Sequence, residues 1–132
     1  VEGIRPLLVE AYFSSLQGGD FAVEIDLKLI RNTLVVKISG ELDLLVAEKL
    51  RREIDSKIQS QQVKNLVLNL EKVSFIDSSG LGVIIGRYKR MNAGNGRMYI
   101  VGASPAVEKI LIFSGINKLV PLYRSEQDII NI

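Results

Sequence analysis

The sequence predicts an α/β domain: a mixed β-sheet of four to five strands packed with about four α-helices and opening with an antiparallel hairpin. Three observations lead there. Two neighbouring segments alternate apolar and polar residues with period two and are separated by a turn. Further along, short apolar runs alternate with segments of helical period, an order that calls for parallel strands joined by helical crossovers. Finally, 132 residues of 47% hydrophobic composition suffice for one domain whose core needs neither disulfide nor metal.

Residues 1–20 begin with Val rather than Met and are read as an appendage, helical or added, ahead of a working domain over 21–132. In the appendage Pro6 suits a helix start, Leu7, Leu8, Ala11 and Tyr12 fall at helical spacing, and Gly18 and Gly19 stop the pattern. From Ala22, Val23, Ile25, Leu27 and Leu29 share one face of a strand, with Glu24, Asp26 and Lys28 on the other. Arg31 and Asn32 turn the chain into a second strand carrying Leu34, Val36 and Ile38.

"GELD" ends that strand, and Asp43 sits where the cap of a helix over about 44–59 belongs. Val46, Leu50, Ile54 and Ile58 form its inner face, and Glu48 is placed to pair with Arg52. "NLVLNL" (65–70) is the next strand. Leu81, Ile84, Ile85 and Tyr88 mark a helix running to the "NAGNG" breaker at 92–96. "RMYIV" follows as a strand, Ser104-Pro105 starts a helix with Val107, Ile110 and Leu111 inward, and Gly115 stops it. "LVPLY" is a last strand, at an edge because of Pro121, and the capping-box spacing of "SEQD" starts a final helix with Ile129 and Ile130.

Composition excludes several functions. A formal charge of +2 with no clustered basic tract gives nucleic-acid binding no support. No stretch approaches the roughly 18 apolar residues of a membrane span, and no signal-peptide pattern is present, so a soluble, cytoplasmic protein without a membrane partner is expected. Cys and His are both absent. That removes thiolate nucleophiles, histidine-based triads and the usual zinc ligand sets, so neither a metal nor a catalytic residue is assigned.

The stretch "SFIDSSGLGVIIG" (74–86) admits three chemical readings. As a phosphate loop it fails on spacing: Gly80, Gly82 and Gly86 are one residue too long for G-x-G-x-x-G, and no GK[ST] follows. As a catalytic turn it lacks a base, since only Asp77 and the more distant Lys89 are at hand. As a modification site it is well placed, because Ser78 or Ser79 begins a helix where free N–H groups and the macrodipole favour negative charge. The plainer alternative is that one of these serines caps the helix. Each glycine costs roughly 1 kcal/mol relative to Ala in a helix interior, so three near one start point to a close approach by backbone or partner. Asp43 reads as a cap and Asp77 as a turn residue. Arg87, Lys89, Arg90 and Arg97 read as a solvated face able to steer an acidic partner.

"GELD" (40–43), "LVLNLEKVSFIDSSGLGVIIGRYKR" (66–90) and "ASPAVEKILIFSGINKL" (103–119) together resemble the anti-sigma factor antagonists of the STAS domain family, with the strongest likeness to the sporulation sigma-F pathway. The resemblance covers roughly residues 21–131 and departs only in the first 20. It implies a STAS-like fold and a bacterial regulatory protein that is not itself an enzyme. Unphosphorylated, such a protein binds an anti-sigma factor that is also a serine kinase and displaces the sigma factor. The kinase then phosphorylates it, and a serine phosphatase resets it. The phosphorylated serine is the first of the DSSG motif, here Ser78. Asp43 and Asp77 match positions associated with kinase and partner contact, and Ser79, Gly80, Leu81 and Gly82 complete that turn. No cofactor is implied; ATP is used by the partner kinase. Two other classes stay open: a STAS regulatory module of a transporter or signalling scaffold, and a small nucleotide-binding protein.

Overall fold

A computed structural model describes residues 6–8 and 24–130 of the chain. The hairpin forms from β2 (Glu24–Ile30) and β3 (Thr33–Leu42). Ile25, Leu27, Leu34, Val36 and Ile38 point into the core, as their alternation requires. The two-residue turn carries Arg31 at φ 57, the left-handed backbone that tight hairpins demand. A short β1 (Pro6–Leu8) pairs antiparallel with β2, Pro6 opposite Lys28. This corrects the expected helix start at Pro6: paired to β2 the segment gains ladder hydrogen bonds, whereas a short isolated helix is marginal. Ala11, Tyr12, Gly18, Gly19, Ala22 and Val23 lie outside the described residues.

The chain continues through α1 (Leu44–Ser60), β4 (Asn65–Ile76), α2 (Ser78–Ala93), β5 (Arg97–Val101), α3 (Pro105–Ser114), a 3-10 turn (Ile116–Lys118), β6 (Leu122–Tyr123) and α4 (Glu126–Ile130). The sheet order is β1-β2-β3-β4-β5-β6, with β3 through β6 parallel. The five expected strands are all present, and β1 adds a sixth. β6 lies at an edge, behind Pro121.

Helices α1, α2 and α3 bury one face of the sheet: Val46, Leu50 and Ile54, Val83, Ile84 and Met91, and Val107 and Leu111 join Leu34, Val36, Leu66, Leu68 and Ile100 in one core. The other face holds a smaller cluster of Val35, Val67, Tyr99 and Val101, against which Tyr123 and Ile129 pack. Burial on both faces is why β4 opens with the apolar run Leu66–Leu68 rather than with an alternation. β4 also extends six residues past its expected end at Leu70. Lys37 pairs with Asn69 but Ser39 with Lys72, and Gly40 pairs with Val73 but Glu41 with Phe75, so β4 carries an extra residue at each of two bulges. The bulges break the period-two pattern and hide the second half of the strand.

Two surface expectations are corrected. Glu48 pairs with Arg51, not Arg52, and that hydrogen bond holds its carboxyl below the usual range. Arg87 is no part of a solvated face. It is buried between α1 and α2, with Nε 3.0 Å from Asp55 Oδ1, and Arg90 reaches the same oxygen at 3.4 Å. Neither Asp55 Oδ1 nor Arg87 Nε has hydrogen-bond geometry, so charge rather than alignment couples them. Burial pushes the Arg87 pKa down, and Asp55 opposes that shift. This pair ties α1 to α2.

Candidate functional site

Leu42 and Ile76, the last residues of β3 and β4, are partners in the parallel ladder. Each is followed by an aspartate in extended conformation that caps a helix. Asp43 accepts the Val46 N–H at 3.2 Å, and Asp77 accepts the Gly80 N–H at 3.0 Å. The Asp77 N–H also donates to the Leu42 carbonyl at 3.3 Å, stitching the two helix starts together. Two helix N-termini therefore open side by side at the carboxyl ends of adjacent parallel strands, each presenting a partial positive charge.

Because Asp77 takes the cap, neither serine does, which corrects the plainer reading of the turn. Ser78 is the first helical residue and is exposed; Ser79, next in the same turn, is half-buried. Among the described residues the Ser78 hydroxyl has no side-chain hydrogen bond, so it is presented to solvent beside the Asp77 carboxylate.

The glycines divide by role. A Cβ on Gly80 would stand 2.7 Å from the Leu42 carbonyl oxygen and 2.8 Å from Ile76 Cγ2, so only glycine lets α2 start this close to β3. Added to Gly82 or Gly86, a Cβ meets nothing within 4 Å. Ser78 and Gly82 lie one turn apart on the outer face of α2, and half-buried Leu81 faces α3.

Exposed apolar side chains flank the turn: Leu44 is 69% exposed, Leu45 56% and Phe75 46%. Sequence reasoning missed them. The available signal was Leu44-Leu45 standing ahead of the Val46, Leu50, Ile54 spacing, outside the buried face of α1. Among the described residues no group of acidic side chains is arranged to hold a metal ion, and no helix is long and apolar enough to cross a membrane. A cleft of about 860 Å³, lined by Arg31, Asn65, Arg97 and Tyr99, lies on the opposite sheet face, where β3, β4 and β5 begin, away from Ser78.

Parallel strands ending in two capped helices, with a DSSG turn opening the second, define a family. Residues 24–129 match the STAS domain, and the chain belongs to the STAS-domain anti-sigma factor antagonists. It is 40% identical over 104 residues to the anti-sigma F factor antagonist of Paenibacillus polymyxa, covering 79% of this chain and 89% of that one. It is also similar to two solved structures of SpoIIAA. The unphosphorylated anti-sigma factor antagonist superposes with a TM-score of 0.74 at 33% identity, covering 81% of this chain and 93% of the other. The phosphorylated form of the Bacillus protein gives 0.67 at 32% identity, covering 81% and 96%.

Proposed function

We propose that this chain antagonises an anti-sigma factor through a surface centred on Ser78, and that phosphorylation of Ser78 switches the surface off. Unphosphorylated, the turn offers a neutral hydroxyl, the open backbone at Gly82 and the exposed Leu44, Leu45 and Phe75 to the partner. Asp43 and Asp77 hold the two helix starts in place and border the contact, and Ser79, Gly80 and Leu81 complete the turn. The partner is an anti-sigma factor that is also a serine kinase using its own ATP; a serine phosphatase restores the hydroxyl.

The observation that carries this reading is the division of labour between Asp77 and Ser78. The carboxylate caps α2, so the serine is free to be modified without costing the helix its cap. Phosphate adds about 1.5 to 2 negative charges beside Asp77, at the centre of the face the partner must cover. The reading is tested by titrating the unphosphorylated chain into a preformed complex of the cognate sigma factor and anti-sigma factor. Release of sigma factor is expected, with none from the phosphorylated chain. An intact complex at saturating unphosphorylated chain would contradict the proposal.

A further inference from the structure

We propose that the cleft on the outer sheet face, opposite α1, α2 and α3, is a binding site for a small amphipathic anion, a carboxylate or phosphate head on an alkyl body; it stands independently of the Ser78 reading. The cleft holds about 860 Å³, the size of a small-molecule site, and its lining is sorted by chemistry. Thr33, Asn65 and Arg97 are register partners across β3, β4 and β5, and two residues further on Val35, Val67 and Tyr99 are partners in the same way. A polar row and an apolar row therefore lie about 7 Å apart along the strands. Ile129 of α4 packs against the apolar row, whereas Arg97 and the hairpin-turn residue Arg31 stand exposed at the polar one.

The polar end is made of donors. Among the described residues neither the Arg31 nor the Arg97 guanidinium has an ion pair or hydrogen bond. Asn65 Nδ2 donates to Thr33 Oγ1 at 3.2 Å, which leaves the second Nδ2 hydrogen and the Thr33 hydroxyl proton to donate. Two full positive charges beside two neutral donors suit an anionic head.

The opposite end sets the direction. Glu126, the carboxylate of the lining, lies beyond the apolar row, where Asn69 Nδ2 donates to it at 2.8 Å and Lys37 stands 4.0 Å away. Lys37 and Asn69 are partners in the next row of the same ladder. An anionic head is repelled from Glu126 and drawn to the arginines, so its body lies between them. There the floor presents the buried Val35 and Val67 and the Tyr99 ring. An alkyl chain fits that floor, whereas a base or sugar would leave polar atoms unpaired on it.

The test titrates the full chain with octanoate, monooctyl phosphate, octanol and ATP, followed by NMR shifts of the backbone amides. The octyl anions are expected to bind one to one and to shift Thr33, Asn65, Val67 and Arg97, with octanol at least about tenfold weaker. Tighter binding of octanoate assigns a carboxylate head, and tighter binding of monooctyl phosphate a phosphate. Arg31→Gln and Arg97→Gln should each weaken the tighter anion about tenfold, the range of a charge-assisted hydrogen bond. The melting temperature of the free variants should be unchanged, because neither guanidinium is paired in the fold. No saturable shift with either anion, octanol binding as tightly as both, or wild-type affinity in the doubly substituted chain would overturn the proposal. ATP binding in this cleft where the octyl anions do not would assign it to a nucleotide and likewise overturn it.

Discussion

Phosphorylation of Ser78 is expected to weaken binding to the anti-sigma factor about a hundredfold while leaving the melting temperature nearly unchanged. The two halves of this expectation have separate causes. On the partner's side, the proposed switch puts a bulky dianion in place of a neutral hydroxyl, and losing roughly 3 kcal/mol of binding corresponds to that hundredfold change. Within the fold, the phosphate meets opposing influences. The N-terminus of α2 favours negative charge by roughly 0.3–1 kcal/mol, and the neighbouring Asp77 carboxylate disfavours it. Ser78 is exposed and does not cap its helix, so no native hydrogen bond is broken. Calorimetric titration of the two forms, paired with thermal melts, checks both halves. A phosphorylated chain that melts far lower would mean that the switch works by unfolding.

Gly80→Ala is expected to destabilise the domain by about 1–3 kcal/mol, the usual cost of forcing an added carbon into a packed site. The atoms its Cβ would meet are the Leu42 carbonyl oxygen and the side chains of Leu42 and Ile76, so relief requires α2 to back away from the ends of β3 and β4. That movement carries Ser78 with it. Gly82→Ala provides the contrast, since its Cβ enters open space. It should stabilise α2 by up to about 1 kcal/mol through helix propensity. Urea unfolding of the two variants reads the opposite signs. Equal stability in both would contradict the assignment of Gly80 to close packing.

Most of the scaffold is legible without coordinates because its signals are local. Ile25, Leu27, Leu34 and Val36 alternate with the strand period. The caps at Asp43 and Ser104 and the stop at Gly115 are each set by a single residue's chemistry. What stayed hidden depends on tertiary placement. The second half of β4 is masked by two bulges that exist only in relation to β3. Arg87 sits in a run of basic residues, and only the packing of α1 against α2 buries it beside Asp55. In "IDSSG" Asp77 reads as a turn residue and a serine as the cap; the position at which α2 leaves β4 gives the cap to Asp77 and frees Ser78. The exposure of Phe75 is hidden by the same bulges, whereas that of Leu44 and Leu45 is signalled only by their standing ahead of the buried spacing of α1.

The proposed role of Ser78 as the switch is checked by mass analysis of the intact chain and its peptides after incubation with ATP and the kinase-type anti-sigma factor from the same genome. One phosphate is expected, carried by the peptide spanning residues 73–87, and none on Ser78→Ala. No phosphate from a kinase active on a control substrate, or a phosphate that persists on Ser78→Ala, would contradict it.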